Sequence, residues 1–487
     1  MISLKLINKK LFVGVLTIAL VSCSDPWSER ENNGDNNLNA SLSEAISNTA
    51  QTTKFAELLV KAGYDKVLSE SKTYTVFAPT NEAMDQVDAS LLDTPEEQIS
   101  FVQNHIALTA YSSVRELDSE KIKMLGNKYL LFKGSTAIGD ATIITADKYA
   151  ANGVFHIVNK ALSPKQNIWQ YVNGASSSSA MSAYLLSLTE LNIYKADSIA
   201  KKVNEALPGV YDDSLSNSYL KNVYNLNNEK NSYTLFLIQD EGYTPEVDNL
   251  KPYLIKKSAD STTTYASYFT VRDMAFPKAY MPNELPDVLT TRFGVEVPID
   301  KTQIVGEPIV LSNGIIYIMK KVEVPLEKRL VTTKIEGEST VWYNPSDLRS
   351  KILYRDLKDP FGVFFNDIMV KNQGISNAWL NYSAKDIYST TYKVYWRAIN
   401  DMQSNVFKQR LIVGAVIVDN ILDPNLAIKD FGLIDVPVKL YDEVLLGEFT
   451  MDQADDIDMI SLLSNPVTTN GNNTITLDYL KFVPVVK

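Results

Sequence analysis

Residues 74–84 read Tyr74-Thr75-Val76-Phe77-Ala78-Pro79-Thr80-Asn81-Glu82-Ala83-Met84. From Thr73 the chain alternates through β-branched and aromatic residues, the pattern of a half-buried strand, and Pro79 ends it. Thr80 stands at a helix N-cap, and Asn81-Glu82 put acid into the positive first turn. Upstream, Ser41-Leu42-Ser43-Glu44-Ala45-Ile46 opens a helical pattern that Phe55, Leu58, Leu59 and Ala62 continue at i, i+3, i+4, i+7 until Gly63. Downstream, Asn152-Gly153 suits a hairpin turn needing positive φ, and Val154 to Leu162 alternate as a strand through the core.

The 74–84 stretch resembles the first motif of the fasciclin domain. Asn152 to Pro164 resembles its second motif, and Asn104-His105-Ile106 its central histidine segment. The three fall in order, and the resemblance implies an α+β fasciclin domain over residues 40–165. Thr80, Asn81, His105, Asn152, Gly153 and His156 are its structural motif residues. His105 and His156 could ligate a metal or act as bases. Two imidazoles without a third ligand make a poor metal site, so the expectation is buried rings that satisfy backbone groups. The family is one of extracellular adhesion modules without a shared catalytic centre. Its integrin-binding members have a tyrosine where this chain has Asn104, so integrin-type adhesion is not expected.

The pattern repeats. Ser232-Tyr233-Thr234-Leu235-Phe236-Leu237-Ile238 mirrors 73–79, and Ser312-Asn313-Gly314 through Pro325 mirrors Ala151 to Pro164. Met181 to Leu191 has helical apolar spacing where the first copy has its entry helix. Residues 166–328 are therefore expected to form a second, degenerate fasciclin-like domain, with Tyr317 in place of His156 and Ile238-Gln239-Asp240 in place of Pro79-Thr80-Asn81. Ser258–Ala266 and Pro277–Pro286 are expected to be contact loops.

Residues 329–487 read as all-β, with short strands between turn residues arguing a jelly-roll sandwich. The series resembles carbohydrate-binding jelly rolls of the galactose-binding-like type. Ile335-Glu336-Gly337-Glu338 resembles the opening strand, Trp379–Tyr382 with Thr391–Ala398 a central hairpin, and Leu477–Pro484 the last strand. Aromatic rings stack on sugar faces, which makes Trp342, Tyr343, Tyr354, Trp379, Tyr382 and Tyr388 the glycan-binding candidates, with core packing as the competing role of each. Trp396 is expected in the core. The resemblance also implies a structural calcium held by Glu336, Glu338 and Asp478, although an ion that wants six to eight oxygens needs more than three acids. Asp452, Asp455, Asp456 and Asp458 lack an EF-hand pattern and read as a solvated acidic loop.

The N-terminus carries Lys5, Lys9 and Lys10 before an apolar run from Leu11 to Val21, a secretory signal too short to cross a ~30 Å hydrocarbon core. Cys23, the only cysteine of 487 residues, follows Leu20-Val21-Ser22, which resembles the lipobox of bacterial lipoproteins. The resemblance implies a signal peptide over 1–22, an acylated Cys23 in the membrane and an Asn-rich, acidic tether over 23–39 of the kind found in surface lipoproteins of Bacteroidetes. A net charge of −11 argues against a nucleic-acid partner. No phosphate loop, zinc helix or nucleophile elbow is present. The expectation is a non-enzymatic, lipid-anchored outer-membrane protein without a catalytic cofactor. It would bind polysaccharide or dock as accessory to a TonB-dependent importer; the alternative is a structural adhesin making protein contacts.

Overall fold

The computed structural model describes residues 36–70, 72–113, 119–188, 217–371, 374–418 and 421–487. Cys23 and the lipobox lie outside them. Chain contacts define two compact units, the first holding residues up to Ile168 and the second holding Trp169–Leu226, Tyr233–Val310 and Gly314–Lys487, with two short segments between joining the first.

In the first unit Ser41 and Glu44 form a reciprocal capping box on the helix Leu42–Ser47. The helix Thr53–Lys61 buries Phe55, Ala56, Leu58 and Leu59, and the chain leaves it through Gly63 at φ +75°. Strands β1 (Tyr74–Pro79), β2 (Ile106–Leu108), β3 (Glu120–Lys123), β4 (Tyr129–Phe132), β5 (Ala137–Ile138), β6 (Ala141–Ala150) and β7 (Gly153–Val158) form one sheet in the order β2-β1-β7-β6-β5-β4-β3. β1 and β7 pair in parallel, Tyr74 with Gly153 and Phe77 with His156. Both strands are buried along their length because apolar clusters cover both sheet faces. Val76, Phe155, Phe55 and Phe101 share one cluster; Phe77, Val158, Phe132 and Ile122 share the other. The β6–β7 turn is Ala151-Asn152 rather than the expected Asn152-Gly153, and Gly153 is already paired with Ala150. Glycine is required there by close approach, since a Cβ would lie 2.1 Å from the Tyr74 carbonyl oxygen.

Strands β8 (Tyr233–Ile238), β9 (Ala275–Phe276), β10 (Val288–Thr290), β11 (Glu296–Pro298), β12 (Ile309–Leu311) and β13 (Gly314–Met319) follow. β12-β13-β8-β9 form a sheet, and β8 pairs with β13 in parallel, Tyr233 with Gly314 and Phe236 with Tyr317. The expected contact loop at Ser258–Ala266 is instead the start of a helix, Ala259–Arg272, which Ser258 caps by accepting from the Ser261 amide. Three consecutive threonines hid it, being poor helix formers in isolation; buried Ala266, Phe269 and Val271 anchor the helix in the tertiary fold.

Residues 330–487 form a β-sandwich. Its strands are β14 (Thr333–Glu336), β15 (Trp342–Asn344), β16 (Ile352–Lys358), β17 (Phe364–Val370), β18 (Trp379–Ile387), β19 (Thr391–Arg397), β20 (Phe407–Val413), β21 (Val416–Val418), β22 (Ile421–Asp423), β23 (Lys429–Val436), β24 (Val444–Thr450), β25 (Asp455–Ser464), β26 (Ile475–Leu477) and β27 (Tyr479–Pro484). Sheets β14-β27-β19-β24 and β15-β18-β25-β20-β23 are the larger pair; β16-β17-β26 and β21-β22 flank them. The expected hairpin of β18 with β19 does not form, because the chain changes sheet between Ile387 and Thr391. The expected last strand is likewise split at Asp478 between two sheets. Asp455, Asp456 and Asp458 are solvated as expected, but on strand β25 rather than in a loop. Trp396 is buried in the core.

Within the second unit the sandwich is locked to the segment carrying β8–β13. The Arg329 guanidinium lies 2.8 Å from Glu246 and 3.2 Å from Asp273, all three buried. Arg272 stacks 3.5 Å from the Phe269 ring and reaches Asp386 at 3.3 Å. The Tyr388 hydroxyl donates to the Arg329 carbonyl at 3.0 Å, and the Ser389 amide to the Tyr253 carbonyl at 2.7 Å.

Candidate functional site

The fasciclin-motif residues are all tied to backbone. The Thr80 hydroxyl accepts from the Ala83 amide at 3.1 Å, capping its helix. Asn81 accepts from the Lys54 amide at 3.0 Å and donates to the Ala50 carbonyl at 2.9 Å, fixing the start of the helix Thr53–Lys61. Asn152 accepts from the Leu42 amide and donates to the carbonyls of Leu68 and Glu70. His105 accepts at Nε2 from the Leu162 amide and donates from Nδ1 to the Phe101 carbonyl, each at 2.8 Å. His156 has the opposite tautomer: Nδ1 accepts from the Asp147 amide at 3.2 Å, and Nε2 donates to the Tyr111 carbonyl at 2.8 Å. Burial lowers both pKa values, that of His105 to about 4, so both rings are neutral at pH 7. With every ring nitrogen occupied, these imidazoles have no lone pair or proton left for a substrate or metal.

The second parallel pair makes matching bonds, some through the same residue type and one through a different side chain. Thr75 and Thr234 each donate to a carbonyl, of Thr109 and Lys278, and accept from an amide, of Tyr111 and Tyr280. The Gln239 amide donates to the Met319 carbonyl as Thr80 does to Val158. Asp240 accepts from the Ala180 amide at 2.8 Å as Asn81 does from Lys54.

Of the six aromatic candidates in the sandwich, three are core. Trp379, Tyr382 and Tyr388 are buried, the last two donating to the carbonyls of Gly337 and Arg329. They cannot stack on a sugar from there. Trp379 and Tyr382 fall on opposite faces of β18, and residues 379–382 are buried throughout, so both faces are covered there. Tyr343 is half-buried. Trp342 is 43% exposed, its ring edge-on to Trp379 at 6.1 Å between centroids. Tyr354 is 64% exposed on the β16–β17 hairpin.

That hairpin also carries rings not expected from the sequence: Phe361 is 86% and Phe364 77% exposed. A turn signal, Asp359-Pro360-Phe361-Gly362 between two apolar runs, would have located it. On the face that carries Tyr354, successive cross-strand pairs are Tyr354–Ile368, Asp356–Asn366 and Lys358–Phe364, all open to solvent except the buried Ile368. The Lys358 ammonium sits 5.0 Å from the Phe364 ring centre. Asn366, with its amide nitrogen turned to donate, reaches Asp356 at 3.1 Å. The tip is held by the Asp359 carboxylate, which accepts from the Phe361 and Val363 amides at 2.9 Å each. On the inner face Arg355 forks onto buried Asp367 and reaches Asp401 at 2.7 Å. Burial pushes the Asp367 carboxyl up to about 6, against the pull of that guanidinium.

Two of the three expected calcium ligands are committed elsewhere. Asp478 is held by Arg397, and Glu336 pairs with Lys334 at 2.9 Å. Glu338 keeps one buried oxygen without a hydrogen-bond partner, and its pKa is raised by burial and then by Glu336 and Asp478. Among the described residues no group of three histidine, cysteine, aspartate or glutamate side chains is placed to hold a metal ion. Among them, too, no helix is long and apolar enough to cross a membrane.

The Fasciclin domain family matches residues 50–164. Protein sll1483 of the cyanobacterium Synechocystis sp. is 27% identical over 133 residues, 26% of this chain and 71% of that protein. Fasciclin-1 of the grasshopper Schistocerca americana is 26% identical over 129 residues, 22% of this chain but 19% of the insect protein. Among solved structures, the FAS1 domain pair of the insect cell adhesion molecule fasciclin I covers 58% of this chain at 18% identity, with a TM-score of 0.23 and 99% of its own length aligned. The carbohydrate-binding module CBM36 in complex with calcium and xylotriose covers 31% at 16% identity, with a TM-score of 0.19 and 98% of its own length aligned. The chain thus carries a fasciclin domain, built on the parallel pair of β1 and β7.

Proposed function

We propose that this protein is a non-enzymatic bacterial surface lipoprotein of the Bacteroidetes type, held in the outer membrane by acylated Cys23, whose C-terminal jelly roll captures glycan. In this reading residues 40–165 and 166–328 are tandem fasciclin-like domains, and the second is supported by the hydrogen bonds its parallel pair shares with the first. Docking beside a TonB-dependent nutrient importer would let weak, repeated capture raise the local substrate concentration without catalysis. The observation that carries the reading is the display of Trp342 and Tyr354 to solvent on a rigid β-sandwich. An aromatic ring exposed on a fixed scaffold supplies contact area at little entropic cost.

Affinity electrophoresis of the purified full-length chain in mild detergent, through gels containing different polysaccharides, tests it. Retardation by at least one is expected. Uniform migration through all of them would leave the structural adhesin as the better account. The anchor is tested separately, because Cys23→Ala should release the protein from the membrane fraction.

A further inference from the structure

The solvated face of the β16–β17 hairpin has an order suited to one class of ligand. Tyr354 and Phe364 are both largely exposed and sit two cross-strand pairs apart, about 13 Å along the strands. Between them lies the polar pair Asp356–Asn366. A pyranose ring with equatorial hydroxyls has an apolar face of C–H groups and a polar rim. A chain of such rings laid on this face would stack its end sugars on Tyr354 and Phe364 and turn its rim toward Asp356 and Asn366. A lipid surface would be met badly by the same face, because burying that carboxylate and amide in hydrocarbon is costly. An acidic glycan would be met badly too: Lys358 is the one cation in these pairs, and Asp356 opposes it.

We propose, on the footing of the glycan-binding reading above, that this face is the platform for an extended, neutral polysaccharide, with Tyr354 and Phe364 as its stacking rings. The hairpin is preorganised for the task. Asp359 fixes its tip through two amide hydrogen bonds, and Arg355 clamps its inner face through Asp367 and Asp401. Phe361, in the turn at the tip, is largely exposed as well.

The test runs the full-length chain and its variants through gels containing hydroxyethylcellulose, xyloglucan or mannan, and through gels containing pectate or alginate. Retardation is expected in at least one neutral gel and in neither acidic one. Tyr354→Ala and Phe364→Ala should each weaken it roughly tenfold, as loss of a central aromatic contact does elsewhere. Tyr354→Phe and Phe364→Tyr, which keep the rings, should bind like the parent. Unfolding midpoints equal to the parent's show that the losses are local. If neutral polysaccharide binds but the Tyr354 and Phe364 variants are unaffected, the platform is wrong while glycan capture stands. Preference for pectate or alginate overturns the ligand class. If no polysaccharide binds, the broader reading falls with this one, and a protein partner becomes the better occupant of the hairpin.

Discussion

Tyr317 stands opposite Phe236 at the register where His156 stands opposite Phe77, and its hydroxyl donates to the Tyr280 carbonyl at 2.7 Å much as His156 Nε2 donates to Tyr111 at 2.8 Å. A phenol and a neutral imidazole thus fill one architectural role: a flat ring against a phenylalanine, with one donor aimed at one carbonyl. The role needs neither basicity nor metal affinity, which explains how the second parallel pair does without histidine.

The two histidines nevertheless give the first unit an acid sensitivity. Their folded pKa values lie below the ordinary 6.5 of a histidine, so the unfolded chain binds more protons as pH falls. The stability they contribute is present above pH 6.5 and is lost toward pH 4, by about 3 kcal/mol for His105 alone. Urea titrations between pH 7 and 4 should show a declining midpoint for the fasciclin domain, with a shallower slope in His105→Gln. An identical slope in that variant would show the ring is not the titrating group.

Removing the substitute donor should be felt as well. Tyr317→Phe keeps the ring against Phe236 but leaves the Tyr280 carbonyl without its hydroxyl partner, at a cost of about 1 kcal/mol by thermal or chemical unfolding. Tyr317→Ala, which also empties the core position, should cost about 3–5 kcal/mol.

Gly153 admits no side chain. An alanine Cβ would sit 2.1 Å from the Tyr74 carbonyl oxygen, and only separation of β1 from β7 could relieve the clash. Gly153→Ala should destabilise the first unit by about 3 kcal/mol or more. Limited proteolysis would then cut between residues 40 and 165 before it cuts the sandwich. Parent-like resistance would mean that the two strands lie further apart than described.

Arg329 neutralises Glu246 and Asp273 in a site closed to water. Arg329→Met would leave two carboxylates buried with a single guanidinium, that of Arg272, close to Asp273. A loss of about 3–5 kcal/mol is expected, seen as a lower melting temperature of the second unit. The double variant Glu246→Gln/Arg329→Met should recover part of it, because one uncompensated charge is gone.

What could be read from the chain follows from how local each signal is. The strand and capped turn at 74–84 and the hairpin before β7 declare themselves within a dozen residues, through alternation, a proline stop and an N-cap threonine. The second parallel pair was legible because Tyr233-Thr234 and Asn313-Gly314 recur at matching distance. The sandwich aromatics were not. Trp342 and Trp379 look alike as letters, and only the pairing of Asn344 with Trp379 at the sheet edge decides which is covered. Glu336, Glu338 and Asp478 lie close enough for their charges to interact, but nothing near Asp478 in sequence announces Arg397, which sits on another strand and claims it. Phe361 and Phe364 were passed over because apolar residues beside a turn usually point inward.

The parallel pairing at the heart of the fasciclin domain has a kinetic side. β1 meets β7 only after about eighty intervening residues have been made, and β8 meets β13 across a similar gap. Neither central contact can form while the ribosome still holds the later strand, so each nascent half waits with an apolar, unpaired edge exposed. Closure across so long a loop is slow. A chain of this design lingers in an open, threadable form, which is a hazard in a crowded cytoplasm and an advantage to any polypeptide that must be passed through a narrow channel before it folds.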